Sequence, residues 1–504
     1  MEPQEQIDYL LSHPQELIKK KPFTRGSDKR TAPYALNGDS SRQVGEVVDA
    51  ALPQFERNEI SQDRFLAELD PHCHDVLFDQ NIPSISVKLN DGSFVELEFK
   101  KMAVPFQKMI RNKHVLHLCG YDIQHTLDNV EPTDEQRNDF ATFKRYWKKR
   151  NMGGLRTKLV SAQKSVGDGG LLFYFDRNGE VKARLLSYED GYVLCSHNDK
   201  NGDRLVESVY YRIGDTEYID SYTDKAQYRH VRKPTAKNNG WEIDPKINGI
   251  AHGFNEIPLV TKRGKVAWDA VESEIEVYEI IYNIFLVIQK RHGWGILYIK
   301  GTFNENAKKM AGAIVLNDSS LNKDGDAKYL TAPSPEGMLD TLKLMEETIQ
   351  KGSGTTFILP KDISTAGDIS GVAIEITQSL DNEEALSGVI EWQNVASKMS
   401  RLFKYGLSKE LVNSGDKTAI TRFDSLEISS CFKQWRPRNN AEYNQMLSTM
   451  KSSGILSQKT AIEKNTESTP DEEIRIAAEL PAVDEEGARS LESGNAPTNT
   501  PSFS

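Results

Sequence analysis

A stretch near the middle of the chain is apolar around its whole circumference when it is drawn as a helix. One stripe of this helix is formed by Ile275, Ile281, Ile284, Phe285 and Ile288, and the other sides carry Tyr278, Ile280, Tyr282 and Leu286. A single neighbouring element cannot cover every side of such a helix. The sequence therefore predicts a buried helix that several neighbours surround.

The same stretch does not qualify as a membrane span. Its most apolar part, Val277 to Ile288, covers twelve positions and is interrupted by Glu279 and Asn283. A bilayer requires roughly 20 apolar residues in a row. We expect no contact with a membrane, and the first twenty residues also lack the apolar core of an export signal.

A second helix is predicted from Ser334 as N-cap, through Pro335 and Glu336 in the first turn, to Gly352 as the stop. Its apolar stripe has the spacing i, i+4, i+7, i+11 and consists of Met338, Leu342, Met345 and Ile349. This helix can pair antiparallel with the first one. The residues between the two helices would then form a small unit at their tip.

A third helix is predicted to begin after Ser370 and to continue to about Val412. At 1.5 Å per residue, its roughly 42 residues would span roughly 60 Å, which is several times the length of an ordinary globular helix. Gly388 and Gly406 are the positions at which it could kink. Between Gly354 and Ser370 lies a loop of about fifteen residues, and loops of that length are usually functional or mobile.

The first half of the chain mixes short strands with helices. Residues 84–97 and 170–195 have the alternating pattern of β-hairpins, and residues 134–166 have helical spacing. Further short strands run to about Val260. This order of elements predicts an α+β fold for residues 46–265.

Charge limits the possible partners. The 504 residues carry a net charge of −11, so the molecule as a whole repels a polyanion at long range and any contact with nucleic acid must be local. The basic and aromatic residues 143–150 could form such a contact, because cations and stacking rings bind single strands. Phe143 and Trp147, however, lie four residues apart on one helix face, which favours a solvated helix with an aromatic anchor.

The sequence offers little catalytic machinery. The glycine-rich residues 352–355 have no lysine after them and follow a helix, which argues against a phosphate-binding loop. The densest group of possible metal ligands is residues 72–75, two histidines with a cysteine and an aspartate, and we interpret it as a polar loop. His114 and His117 are interpreted as half-buried histidines with satisfied hydrogen bonds.

The cysteines indicate a cellular compartment, but their spacing does not indicate a disulfide framework or a CxxC motif. The chain has four of them, which lie far apart and form no CxxC pair: Cys73, Cys119, Cys195 and Cys431. This distribution is typical of a protein that is kept in a reducing cytoplasm.

Three passages, in order along the chain, match the pattern of one protein family. Leu171 to Tyr192 reads as a strand, an acidic turn with glycine and a second strand; Ile369 to Glu375 contains the phrase S-G-x-A before a helix; and Ser453 to Ala461, with Asn465, reads G-I-L-S-x-x-T-A-x-x-x-N. In this order and at these separations they resemble the wing hairpin, the start of the long wing helix and the crown of the portal proteins of tailed bacteriophages. The branch that they resemble is typified by the compact portal of a Bacillus siphophage.

The resemblance implies an α+β portal fold with long central helices, an α/β wing, a small α/β clip and a helical crown. Together with composition it divides the chain into an N-terminal arm (1–45), the wing (46–265), stem helix 1 (266–292), the clip (293–333), stem helix 2 (334–353), a tunnel loop (354–370), the long wing helix with a returning strand (371–439), the crown (440–480) and an acidic tail (481–504). From Pro470 onwards there are eight acidic residues but only two arginines, a net charge of −6, and the Gly, Ser, Pro and Thr content beyond Pro481 predicts disorder.

The function implied by the resemblance is structural. Portal proteins form a ring, commonly of about twelve subunits, at one vertex of the capsid, and heterologous contacts that close would supply the neighbours that the apolar helix needs. Double-stranded DNA passes through the ring without sequence recognition, packaged by the terminase large subunit and later ejected. The implied partners are further copies of the chain, terminase, head-completion or adaptor proteins, and major capsid and scaffold proteins. No catalytic residue, metal or cofactor is expected, and the expected location is the virion, after assembly in the bacterial host cytoplasm.

The candidate site residues form two groups. The residues expected to face DNA lie in the tunnel loop and in stem helix 2, and are Thr356, Phe357, Lys361, Asp362, Ser364, Thr365, Lys343 and Lys351. For Lys343 and Lys351 an outward, solvated position is an equally good interpretation. The residues expected to pack stem helix 1 within the ring are Ile275, Tyr278, Ile281, Tyr282, Phe285 and Ile288.

Two other classes of protein stay open at this point. A metal-dependent nuclease would need clustered carboxylates, and the groups that could be recruited are Asp416, Asp424 and Glu427, or Asp215, Glu217 and Asp220. The other alternative is a structural protein that contacts capsid or scaffold but is not a portal.

Overall fold

A computed structural model describes most of the chain between residues 62 and 465. The described residues are 62–79, 82, 85–88, 94–97, 100–198, 204–233, 242–292, 296–300, 308–310, 313–315, 326–330, 336–357, 378–436 and 440–465. The predicted N-terminal arm and the acidic tail lie outside these ranges.

The chain divides into two compact units. The first comprises residues 1–357 and 378–435, and the second comprises residues 358–377 and 436–504. Besides a helical stretch over residues 62–69, the first unit contains the helices α1 (Phe106–Cys119), α2 (Asp134–Lys149), α3 (Met152–Val166), α4 (Glu272–His292), α5 (Glu336–Ser353), α6 (Ser379–Asn413) and α7 (Ala419–Asp424).

The strands of the first unit form separate small sheets. In chain order they are β1 (Ile85–Lys88), β2 (Phe94–Leu97), β3 (Gln124–Leu127), β4 (Asp168–Phe175), β5 (Val181–Leu186), β6 (Val193–Asn198), β7 (Arg204–Ile213), β8 (Thr216–Tyr222), β9 (Ala226–Arg232), β10 (Glu242–Ala251), β11 (Leu259–Arg263), β12 (Ile296–Lys300), β13 (Lys308–Met310), β14 (Ala313–Val315), β15 (Asp326–Leu330) and β16 (Ile428–Cys431).

The two larger sheets have the strand orders β10-β9-β8-β7-β6 and β11-β4-β5, and the remaining strands form the pairs β1-β2, β12-β15, β13-β14 and β16-β3. All of these described pairings are antiparallel. Helices that pack beside antiparallel sheets agree with the predicted α+β class.

Both hairpins predicted from the alternating pattern are present. β1 pairs with β2 from Ile85 opposite Leu97 to Lys88 opposite Phe94. β4 pairs with β5, and Gly179 in the turn between them has a φ of 76°, a conformation that glycine adopts without steric cost.

The helical stretch predicted over residues 134–166 is two helices. Thr133 caps α2 by a reciprocal capping box with Gln136, and Asn151, at a φ of 51°, interrupts the helix before α3 begins. Phe143 and Trp147 are buried in the core and their helix is solvated on the other side. The interpretation of residues 143–150 as a helix with an aromatic anchor is therefore confirmed.

The main core forms around the long helix α6. Trp392, Met399 and Phe403 on this helix are fully buried among apolar side chains of α1, α2, α3, β4 and β5. The helix is continuous over 35 residues and begins at Ser379; residues 371–377, where the sequence placed its first two turns, lie outside the described ranges. Gly388 and Gly406 do not interrupt it and instead let Leu118 and Val181 approach its backbone.

The clip prediction is covered only in part. Within residues 293–333 the structure describes the strand pairs β12-β15 and β13-β14.

Among the helices that the structure describes, none combines the length and the apolarity that crossing a lipid bilayer requires.

The second unit contains a helical hairpin, α8 (Asn440–Ser452) and α9 (Gln458–Lys464), whose two helices contact each other. Gly454 has a φ of 74°, and the Ser457 hydroxyl accepts a hydrogen bond from the Thr460 backbone N–H at 3.1 Å. The glycine ends one helix and the serine caps the next. These two positions explain the spacing of glycine and serine in the passage Ser453 to Ala461.

Candidate functional site

The first helix of the candidate site, α4, turns one face towards its own chain. Ile275, Glu279, Asn283 and Val287, at i, i+4 spacing, are buried. The remaining apolar side chains of this helix are half-buried or exposed. The buried face thus includes the two polar residues that interrupt the apolar stretch in the sequence.

Those two polar residues bind an extended segment of backbone. The Glu279 carboxylate accepts a hydrogen bond from Val104 N–H at 2.7 Å. The Asn283 side chain accepts from Met102 N–H at 2.8 Å and donates to Met102 C=O at 2.7 Å. A buried backbone segment needs such partners, so Glu279 and Asn283 satisfy residues 102–104 as a neighbouring strand would.

His74 completes this network and is not part of a polar loop, as the sequence suggested. Its Nδ1–H donates to Glu279 at 2.7 Å and its Nε2–H donates to the Glu68 carbonyl at 2.8 Å. Burial alone would lower the pKa of His74, but the hydrogen bond and the charge of Glu279 raise it above its usual value. The polar-loop interpretation missed that His74 is buried, because its partner lies in a distant helix.

The predicted ring-packing residues fall into two classes. Ile275 is 0% exposed inside its own chain, in one cluster with Trp268 and Ile349; in this fold it offers no surface to another subunit, and its place in the predicted group is corrected. Tyr278 packs edge-on against Phe106 at 5.0 Å, and Tyr282 stacks on Tyr278.

The second class reaches the surface. The side chains that stay partly open to solvent are Ile281, Phe285 and Ile288, besides the two tyrosines. Val277, at 46% exposure, and Ile280, at 37%, are more open still. The sequence did not select Val277 because a helix that is apolar on all sides gives no signal for which face its own fold will cover.

The second helix, α5, packs on α4, and we call the two together the helical pair. Its predicted stripe is confirmed, since Leu342 and Ile349 are buried and Met338 and Met345 are half-buried. The predicted stop is wrong by two residues: α5 continues through Gly352 to Ser353, and Gly354, at a φ of 62°, ends it. Leu344, at 64% exposure, lies on the outer face.

Lys343 and Lys351 point into solvent on this helix. Lys343 lies 3.5 Å from Asp340, and Lys351 lies 3.6 Å from Glu347. Pairs of this kind on a helix surface contribute at most a few tenths of a kcal/mol. Within one chain, therefore, both lysines have the environment of solvated surface side chains.

Thr356 and Phe357, the last described residues after α5, are held by contacts with other elements. Phe357 N–H donates to the Gln350 side chain at 2.9 Å, and the Phe357 ring stacks on Phe106 with centroids 5.7 Å apart. Thr356 N–H donates to Asp381 Oδ2 at 3.2 Å. Of the other predicted loop residues, Lys361, Asp362, Ser364 and Thr365 lie outside the described residues.

His114 and His117 are fully buried, where the sequence suggested half-buried positions. His114 Nε2–H donates to Ser353 C=O at 2.8 Å, but its Nδ1 atom has no hydrogen bond among the described residues, so the expectation of a satisfied histidine is met at one ring nitrogen only. Burial, with the charge of Lys164, lowers the pKa of His114 to about 4. His117 has no hydrogen bond to its ring among the described residues, which contradicts the expectation for it.

Four of the six carboxylates that a nuclease could recruit are paired with arginines. Asp416 accepts hydrogen bonds from Thr418 and Arg422, while Asp220 pairs with Arg229 and Glu217 pairs with Arg232. An arginine competes with a metal ion for the same oxygens. Within the part of the chain that the structure describes, no group of three His, Cys, Asp or Glu side chains is placed to hold a metal ion.

Exposed apolar side chains on the helical pair indicate a surface that binds another protein. A comparison with protein families shows which family the chain belongs to. The family described as phage portal protein, SPP1 Gp6-like, matches residues 98–486, and the chain belongs to this family. Among curated proteins no match was found.

Proposed function

We propose that the chain is the subunit of a portal ring at one vertex of a phage capsid. Double-stranded DNA is packaged through the ring by the terminase large subunit and is later ejected through it, and the ring joins head to tail. The single observation that carries this proposal is the family match over residues 98–486. Portal proteins are structural, and the proposed role is likewise conduction and attachment without catalysis.

The outer face of the helical pair supports self-association. Val277 and Ile280 on α4, and Leu339 and Leu344 on α5, are exposed apolar side chains. A patch of this kind indicates a binding surface. In a ring of about twelve copies, this patch would contact a different surface of the next subunit. Contacts between unlike surfaces produce a closed ring when the rotation from one subunit to the next is a whole fraction of a full turn.

The charge of the chain suits passage of DNA without tight binding. A net charge of −11 per subunit disfavours tight binding of DNA phosphates by the channel wall. Because the whole genome must pass through the channel, contacts with the DNA are expected only at its backbone and not at particular bases. Lys361 is the proposed cation of the channel, in a loop over residues 354–370. Lys343 and Lys351 are weaker candidates, because each has an acidic neighbour on its own helix.

The roles of the remaining regions are proposed by analogy with the same family. The clip, residues 293–333, is proposed to bind terminase during packaging and head-completion or adaptor proteins afterwards. Major capsid and scaffold proteins are the proposed partners at the capsid vertex. The protein is accordingly placed in the virion, after assembly in the host cytoplasm.

The proposal is tested by imaging the purified full chain by electron microscopy and by weighing it in native mass spectrometry. Rings with a central hole and a single closed copy number are expected. Shells or tubes would mean a capsid protein that is not a portal. Stoichiometric binding of a divalent metal ion in calorimetry, with cleavage of DNA, would mean a nuclease.

Deleting residues 359–368 tests the channel loop. The deletion leaves Phe357 and its contacts with Gln350 and Phe106 in place. Rings should therefore still form, while DNA filling in a reconstituted packaging reaction should fall by at least about tenfold, because four of the proposed DNA-facing residues, including Lys361, are gone. Loss of ring assembly would show that this segment serves assembly and does not line the channel.

A further inference from the structure

A buried carboxylate joins the two sides of the segment that begins after Phe357 and ends before Gln378. Asp381 lies in the first turn of α6, with its side chain 1% exposed. Its Oδ2 atom accepts a hydrogen bond from Thr356 N–H at 3.2 Å. The chain therefore leaves and re-enters the first unit at points that one hydrogen bond holds together.

A second contact, made by α1, holds the residues at which the chain leaves the first unit. His114 Nε2–H donates to Ser353 C=O at 2.8 Å, and Thr355 Oγ1 lies 3.1 Å from the same nitrogen. Thr355 is fully buried. We call Asp381, His114 and the backbone of residues 353–356 the clamp.

The surroundings of Asp381 are unfavourable for a carboxylate that served only to stabilise the fold. Its Oδ1 atom has no hydrogen bond among the described residues, and the nearest basic group, His117 Nε2, lies 4.0 Å away. Burial lowers the pKa of His117, and the charge of Asp381 offsets this only in part, so at neutral pH the imidazole is uncharged. A buried carboxylate with so few partners is costly.

A simpler reason for a carboxylate at position 381 is its place in a helix. This reason must be distinguished from the hydrogen bond to Thr356. A carboxylate in the first turn of a helix interacts favourably with the helix dipole. That interaction requires neither burial nor a bond to Thr356, which lies outside the helix. An asparagine at the same position would lose the charge but keep an oxygen for Thr356 N–H.

We propose that Asp381 and His114 are positioning residues that hold both ends of the segment 358–377 at a fixed separation and orientation. The inference about anchoring stands on the clamp alone. Its consequence for DNA rests on the proposed function, in which the segment between these two ends carries the channel cation Lys361. Release of the clamp would let the separation of the two ends, at Phe357 and Gln378, vary from subunit to subunit.

The test uses the assembled full-length protein and three variants. Asp381→Ala removes the clamp oxygen, Asp381→Asn keeps it, and Glu383→Ala removes an exposed acid of the same helix turn as a matched control. Hydrogen exchange at the backbone amides of residues 354–357 measures the clamp, and the rate of tryptic cleavage after Lys361 measures access to the segment. Asp381→Ala should raise both rates by about tenfold or more, whereas Asp381→Asn and Glu383→Ala should stay within about twofold of the unmodified protein.

Two further measurements keep the result interpretable. Exchange in β4 and β5 reports on the fold, and should not change in any variant. If Asp381→Ala does not fold, His114→Ala replaces it and should raise exchange at residues 353–356 alone. Equal rates in Asp381→Ala and Glu383→Ala would overturn the inference.

The consequence for DNA is read separately. Rings of Asp381→Ala should assemble normally but fill with DNA at a reduced rate, and Asp381→Asn should restore that rate, which a loss of global stability would not do. Faster exchange with unchanged DNA filling would reject the positioning role while leaving the anchoring intact. Absence of rings from the unmodified protein would reject the proposed function and would not touch the exchange result.

Discussion

Single polar residues decide how the apolar helix α4 is placed in its own chain. Glu279 and Asn283 look like interruptions in the sequence, yet they are buried and bind the backbone of residues 102–104. An aliphatic residue at either position would leave backbone groups of that segment without partners. These two positions therefore select which face of α4 points inward and which stays available to another molecule.

Glu68, next to this network, links the docking of residues 62–79 to pH. Its side chain accepts a hydrogen bond from Trp268 Nε1 at 2.7 Å, and burial raises its pKa from 4.5 to about 7. The folded state thus holds a proton that the unfolded state releases above pH 4.5. This carboxyl therefore makes its most favourable contribution below about pH 4.5, and the contribution falls as the pH rises towards about 7.

Glu68→Gln should remove that pH dependence, because the amide stays neutral and can still accept from Trp268. Relative to the unmodified protein, the variant should gain up to about 3 kcal/mol of unfolding free energy at pH 8 and change little at pH 5. Thermal unfolding at both pH values measures the difference. Glu427→Gln, at an exposed position, is the control, and an equal effect of Glu68→Gln at pH 5 and pH 8 would contradict the prediction.

At the scale of elements, the long helix α6 depends on two residues that usually weaken helices. Gly388 and Gly406 are both buried, and a Cβ atom at Gly406 would lie 2.4 Å from Val181 Cγ2 and 3.2 Å from Phe254 Cε1. The hairpin β4-β5 thereby packs directly on the helix backbone. Close packing explains why both glycines lie within a continuous helix.

Gly406→Ala should destabilise the protein although alanine favours helices. The overlap with Val181 should cost about 1–3 kcal/mol, more than the roughly 1 kcal/mol that alanine contributes in a helix. Gly337→Ala in α5, where a Cβ atom would meet nothing within 4 Å, is the control and should be neutral or slightly stabilising. Denaturant unfolding checks both.

A second substitution separates the overlap from other effects of alanine. Val181→Ala removes Val181 Cγ2, the atom that the new Cβ would approach most closely. The loss caused by Gly406→Ala should therefore be smaller in the Val181→Ala background than in the unmodified protein. Additive losses would mean that Gly406 is required for another reason.

The sequence predicts elements better than it predicts which of their faces are covered. Local patterns were sufficient for the two hairpins and for the stripe of α5, since alternation and helical spacing involve neighbours in the chain. They were insufficient at Asn151, where one left-handed residue divides a helical pattern, and at Gly352, where a glycine two residues further on is the actual stop.

The candidate site was less accessible to prediction for the same reason. His74 was interpreted as part of a polar loop because its partner, Glu279, is 205 residues away. Ile275 was assigned to a ring contact because nothing in its neighbourhood signals that Trp268 and Ile349 cover it. The clamp of Asp381 and His114 depends on three segments that meet only in the folded chain, so no sequence pattern identifies it.

At the scale of the whole molecule, the structure modifies the role of the apolar helix. The sequence suggested that α4 needs other subunits for shelter on every side. One face is instead buried within the chain, and the outer face of the helical pair keeps its apolar side chains open to solvent. A folded lone protomer is therefore compatible with the proposed ring, whose contacts would cover the outer face.

The outer face of the helical pair can be tested without disturbing the fold. Ile280→Glu combined with Leu344→Glu changes two exposed positions, at 37% and 64% exposure, so thermal unfolding of the protomer should shift by only a few degrees. Assembly should be lost, because each contact would bury charges at a cost of several kcal/mol. Native mass spectrometry and sedimentation measure the outcome.

Ile213→Glu is a matched control for this substitution. Ile213 ends β7 and has the same 64% exposure as Leu344, but it belongs to the five-stranded sheet and not to the helical pair. If exposure alone made an apolar residue part of the interface, both variants would lose assembly. We expect rings with Ile213→Glu and monomers with the double variant, since only the double variant places charges on the helical pair. Rings of the double variant with an unchanged copy number would mean that subunits meet elsewhere.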